Sequence, residues 1–157
     1  MVIKLIYTVF LALLVALFVG FGIDAFYKGS EMPKYPIELE TQKAGCDEPA
    51  EMTSLRKDYD QKQEQYFEES KSYNRNVSII ALVAAIIILV ASLTLLSKIK
   101  MIADGILLGG VFTTAYGIIR GIMSANSQFR FFIIVIGLLI ALILGYIKFI
   151  RAKTDSR

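Results

Sequence analysis

The sequence predicts an all-α polytopic membrane protein in which four transmembrane helices form a compact bundle and an extramembrane helix precedes the second span. Three observations lead there. The 157-residue chain is 55% hydrophobic with a mean hydropathy of +0.58, too apolar for a water-soluble domain of this length, which must present a polar surface somewhere. Four stretches match the roughly 20 mostly apolar residues a helix needs to cross the hydrocarbon. None of them alternates apolar with polar residues as a barrel strand would, so the helix is the form in which each satisfies its own backbone N–H and C=O groups.

The first span covers residues 4–27. Its apolar part, 5–23, carries no charge and runs on through Asp24 to Tyr27. It exceeds a signal-peptide core of about 7–15 residues, and no small-x-small site follows, so it reads as an uncleaved signal anchor. The second span, 77–97, is uncharged and rich in Ile, Leu, Val and Ala. The third, 101–123, has Asp104 near one end and Arg120 near the other. The fourth, 130–150, ends in Lys148 and passes into a tail over 151–157 that begins with Arg151; such long basic side chains reach back to the interface.

Basic residues beside the spans set the orientation. With the N-terminus inside, Lys4, Lys98, Lys100, Lys148, Arg151, Lys153 and Arg157 share one side with one acid, Asp155, while the loop over 28–76 carries eight basic and eleven acidic residues and the last loop Arg120 and Arg130. Both termini are therefore expected in the cytoplasm, although Lys71 and Arg75 work against that reading.

The long outer loop divides in two. Residues 28–49 contain Gly29, Pro33, Pro36, Gly45 and Pro49 with no periodicity, the pattern of an extended connector. Tyr27 and Tyr35 suit the headgroup level. From Ala50 the composition turns to helix formers, with Pro49 fit for a first turn, Asp47 or Glu48 for the cap and Glu51 for the positive helix end. Met52, Leu55, Tyr59, Tyr66 and Tyr73 recur at helical spacing with Phe67 beside them, interrupted by Lys62 and Glu69. No Pro or Gly separates 50–76 from the second span, so one helix of roughly 70 Å is possible at 1.5 Å per residue. Two arrangements fit: a projecting stalk that pairs with another chain through its tyrosine stripe, or a helix lying on the bilayer or folded onto the bundle.

Small residues recur at every fourth position within the spans. The third carries Gly105, Gly109, Thr113, Gly117 and Gly121, including GILLG and GIIRG, two GxxxG motifs; the first has Ala12, Ala16 and Gly20, the second Ala81 and Ala85, the fourth Gly137, Ala141 and Gly145. Close backbone approach and dispersion drive helix association in lipid, and such rows permit it. The expectation is packing within the bundle, with contact to a partner or a second copy through the third helix as the alternative.

Asp24, Asp104 and Arg120 are the ionisable residues inside spans. A charge at mid-bilayer costs about 2.5–3.5 kcal/mol on insertion scales, so partners are expected: Asp24 with Arg120 at the outer end, Asp104 with Lys100 or Lys148 at the inner. None lies at the midplane, where a coupled carrier places its carboxylate.

The chain has no His and one cysteine, Cys46, so an intramolecular disulfide and a thiolate metal cluster are excluded. Walker, zinc and GxSxG motifs are absent. A net charge of +3 spread over span flanks argues against nucleic acid. No enzyme and no cofactor is expected. The sequon Asn76-Val77-Ser78 abuts the second span too closely for glycosylation.

The segments FGIDAFYKG, YNRNVSIIALVAAIIILV, ADGILLGG and GLLIALILGYIKF resemble short four-span membrane proteins of bacteria with reduced genomes. The resemblance covers nearly the whole chain and implies a bacterial inner membrane, but brings no activity or site residue with it. Claudins share the long first outer loop but have paired cysteines and a tryptophan motif absent here, and small multidrug exporters depend on a glutamate in the first span where this chain has none. The sequence thus points to a non-enzymatic membrane subunit or scaffold with the bilayer and a protein partner or second copy as its contacts; the alternative is a transporter or channel component that acts as an oligomer.

Overall fold

Four long helices make up most of the computed structural model, which describes residues 2–37, 50–94, 99–124 and 126–147. They are α1 (Val2–Phe26), α2 (Ala50–Thr94), α3 (Lys100–Ile122) and α4 (Ser127–Gly145). No strand occurs among the described residues. All four are long and apolar enough to cross a membrane.

α2 is one unbroken helix of 45 residues, about 67 Å at 1.5 Å per residue. Its apolar half crosses and its polar half extends beyond the bundle. Nothing in residues 50–94 interrupts the main-chain ladder, since the segment holds neither Pro nor Gly. α4 starts where Asn126 caps it: the side-chain oxygen accepts from the backbone N–H of Gln128 at 2.9 Å and of Phe129 at 3.4 Å, satisfying two of the four free donors of a helix start.

α3 is the central element. α1 packs along one side of it and α2 along another, whereas α1 and α2 touch little and α4 leans mainly on α3, through Ile133 and Gly137 in its first half. The register is direct. Leu11 of α1 faces Gly105 and Val15 faces Gly109, so the two helices run parallel. On α2, Ser92 meets Ala103, Leu89 meets Gly110 and Leu82 meets Gly117, so α2 and α3 run antiparallel.

Close approach explains this order. A methyl built on Gly109 would lie 2.7 Å from Val15 Cβ and 3.2 Å from the Ala12 carbonyl oxygen; one built on Gly110 would lie 2.6 Å from Leu89 Cδ2. Neighbouring glycines therefore admit two different helices on two sides of α3. The fourfold row precesses about 40° per step at 3.6 residues per turn, so it does not stay on one neighbour. Gly105 and Gly109 face α1, Gly117 faces Ala81 and Leu82 of α2, and Gly121 meets both Ser78 and Ile133 of α4.

Ala12, Ala81 and Ala85 are fully buried in the contacts. Ile23, Val77 and Ala81 form a core at the end where the connector joins, with Val19, Tyr27, Tyr73 and Tyr116 packed on it. By contrast Phe18, Phe131 and Leu142 are among many large apolar side chains left exposed, which is the lipid-facing surface of a membrane protein.

Three of the small residues are not spent on contacts. Gly20 and Gly145 have nothing within 4 Å of a built methyl, and Ala141 is exposed; in the fourth helix Gly137 alone of its row is used, against Ile118.

Candidate functional site

Polar side chains concentrate at the connector end of the bundle, where α1, the polar half of α2 and the Arg120 end of α3 meet. Arg120 sits at the centre. Its Nη1 donates to Asn74 Oδ1 at 3.0 Å and its Nε to Tyr116 Oη at 3.1 Å. The guanidinium carbon lies 5.4 Å from the Tyr116 ring centre and 5.8 Å from that of Tyr73, within cation–π range. Asn74 is only 4% exposed and donates in turn to the Ser70 carbonyl at 2.9 Å, so the charge is fixed by groups that are themselves fixed.

This corrects the ion pair expected between Asp24 and Arg120. The two residues do arrive at one depth and line one hollow, but the hydrogen bonds found for Arg120 go to Asn74 and Tyr116. Asp24 stays exposed. An amide and a phenol satisfy guanidinium donors without the desolvation cost of burying a second charge. Asp104 is half-buried at the opposite end of α3; the pairing weighed with Lys148 lies outside the described residues, as do Arg151, Cys46, Asp47, Glu48 and Pro49.

The tyrosine stripe is met by the chain's own connector. Tyr27 stacks on Tyr73 with ring centres 5.4 Å apart and planes within 3°, and Tyr35 sets its edge to Tyr59 at 5.2 Å. Tyr27 Oη also accepts from Asn76 Nδ2 at 2.7 Å, and Ser30 donates to the Glu69 carboxylate. Residues 27–37 therefore run back along α2 from Tyr73 to Tyr59, about four turns of the helix. That accounts for Lys62 and Glu69 on it: Lys62 pairs with Asp58 at 2.7 Å, and Glu69 accepts from Ser30 and from Gln65. These bonds, that from Ser30 foremost, hold the Glu69 carboxyl below the usual carboxylate range. Met52, Leu55 and Tyr66 are half-buried, with Tyr66 tilted against Phe67 at 5.9 Å.

The hydroxyls within the spans serve the packing. Ser78 donates to the Gly117 carbonyl at 2.6 Å and Ser92 to the Ala103 carbonyl at 2.6 Å, two bonds that cross from α2 to α3. Thr113 and Thr114 turn back to the carbonyls of Gly109 and Gly110 at 2.8 and 2.9 Å. Each stands four residues after the glycine it bonds, the usual way a hydroxyl is satisfied within a membrane helix.

Two hollows adjoin the site. One, about 460 Å³, lies between the connector and α2 and is lined by Tyr27, Ser30, Glu68, Glu69 and Tyr73. The other, about 570 Å³, runs between α1 and α3 and is lined by apolar side chains up to Asp24, Tyr116 and Arg120 at its connector end. No group of His, Cys, Asp and Glu fit to hold a metal occurs among the described residues.

Comparison with protein-family models, with curated proteins and with solved structures finds no match to this chain.

Proposed function

We propose that this chain is a non-enzymatic scaffold subunit of a bacterial inner membrane, with both termini in the cytoplasm and the polar half of α2 held outside as a stalk that contacts a partner protein. The observation that carries this reading is the single helix Ala50–Thr94. A helix continuous from the bilayer outward transmits position, because a sharp kink would disrupt main-chain bonds and residues 50–94 hold no Pro or Gly to place one. The connector fastened along one side by the Tyr27–Tyr73 and Tyr35–Tyr59 contacts stiffens it further.

The side of the stalk away from the tyrosine stripe is open to a partner. At 100° per residue it bears Lys57, Gln61 and Glu64, all exposed. Mixed charge of this kind sets orientation and partner choice more than affinity. The use of Ser78, Ser92, Thr113 and Thr114 for packing fits a structural part better than a conduit lined with polar groups.

Photocrosslinking from Gln61 in intact cells tests the proposal. Reproducible capture of one other protein supports it. Adducts with copies of this chain alone, together with ion flux when the purified protein is placed in liposomes, would replace it by the oligomeric channel or transporter reading. Labelling of Cys46, the chain's one cysteine, by an impermeant reagent tests the orientation, and protection in intact cells would reverse it.

A further inference from the structure

The hollow between α1 and α3 is built unlike the other lipid-facing surfaces. Its walls are Leu13, Leu17, Phe21 and Phe112, its floor is Ala16 and Gly20, and its outer rim carries one acid, Asp24 from α1, and one base, Arg120 from α3. The small row Ala12, Ala16, Gly20 thus does two things. Ala12 is buried against α3, whereas a methyl on Gly20 would meet nothing within 4 Å. Gly20 keeps a groove open rather than bringing helices together.

We propose that this groove holds one phospholipid whose headgroup carries both a phosphate and a primary ammonium, as phosphatidylethanolamine does. An acyl chain lies against Ala16 and Gly20, the phosphate takes hydrogen bonds from the outward N–H groups of Arg120, and the ammonium donates to the Asp24 carboxylate. Charge complementarity selects this occupant. Arg120 uses one Nε and one Nη1 donor on Tyr116 and Asn74, which leaves three of the five guanidinium N–H groups for an acceptor. Those two bonds and the flanking tyrosine rings fix the fork at the rim before a ligand arrives. An anionic headgroup would meet Arg120 but be repelled by Asp24, and a choline ammonium has no N–H to donate. The groove's volume of about 570 Å³ falls within the range of about 300–1,000 Å³ for small-molecule sites.

The test is native mass spectrometry of the full chain released from nanodiscs of equal parts phosphatidylethanolamine, phosphatidylcholine and phosphatidylglycerol. The unaltered protein should keep one phosphatidylethanolamine, enriched about fivefold or more over either competitor, the ratio that about 1 kcal/mol of preference gives. Asp24→Asn should erase the preference while lipid is still bound, and Gly20→Leu should abolish retention with an unchanged thermal midpoint, since the added side chain enters open space. No enrichment with the unaltered protein, an unchanged preference in Asp24→Asn, retention in Gly20→Leu, or a lipid-free dimer seated on this face would each overturn the proposal.

Discussion

Arg120 of α3 donates to Asn74 of α2 at 3.0 Å, and Asn74 is almost wholly buried. An amide that receives a guanidinium N–H and hands its own donor to the Ser70 carbonyl locks the two helices at the membrane edge. Asn74→Leu keeps the volume and removes both bonds. Hydrogen bonds to charged groups contribute about 1.5–3 kcal/mol, and interhelical ones in membranes average about 0.6, so a loss of about 1–2 kcal/mol is expected. The check is the thermal midpoint by circular dichroism in mild detergent; an unchanged midpoint would show that the bond contributes nothing.

Glycine substitutions should divide by position. At Gly109 a side chain meets Val15 Cβ at 2.7 Å and the Ala12 carbonyl at 3.2 Å, and at Gly117 it meets Leu82 Cγ at 3.1 Å, whereas Gly145 has open space. Overpacking a filled interface costs about 1–3 kcal/mol. Gly109→Leu is expected to be the worst because a main-chain oxygen cannot rotate away, Gly117→Leu milder because Leu82 is flexible, and Gly145→Leu silent. Size-exclusion profiles and melting of the three variants give the order directly, and equal effects at all three would refute the packing assigned to α3.

These glycines also show what was readable in the sequence. The four spans follow from apolar length, and depth along each axis can be counted, so the sequence puts Asp24 and Arg120 at the one level where they line the same hollow. Azimuth could not be counted. Whether Arg120 meets Asp24 or Asn74 depends on how α3 is rotated between α1 and α2, and that rotation is set by pairs such as Gly109 with Val15 and Gly110 with Leu89. Gly110 lies outside the fourfold row, so that row does not reveal its contact with Leu89. The signal was present, since two adjacent glycines point 100° apart and suit a helix with two neighbours. The tyrosine stripe was legible as an apolar face, but its cover came from residues 27–37, a stretch without periodicity.

The connector's seat on α2 should depend on acid. The Glu69 carboxyl lies below its usual range because Ser30 and Gln65 donate to its ionised form. A group with a depressed folded value stabilises fully above the unfolded value, about 4.3 for Glu, and loses that contribution as pH falls through the folded value. The tyrosine signal in near-ultraviolet circular dichroism reports the stacked Tyr27–Tyr73 pair, so it should weaken on acidification below about pH 4. In Glu69→Gln that acid step should disappear; its persistence would assign it to another carboxylate.

The stalk can be broken without touching the bundle. Glu64 is exposed in the polar half of α2, ten residues before Asn74. Proline there deletes a main-chain bond to the carbonyl of Asp60 and clashes with it, at a cost of about 3 kcal/mol or more. The Arg120–Asn74 bond, the Tyr27–Tyr73 stack and all four spans lie on the membrane side of the break or outside it in sequence, so insertion and detergent stability should be kept. Crosslinking from Gln61, just beyond the break, should fall away because the residue is no longer carried at a fixed height and azimuth. Glu64→Ala, which removes the charge but keeps the helix, should crosslink as the unaltered protein does. If Glu64→Pro captured the same partner with the same yield, a rigid stalk would not be what the partner recognises.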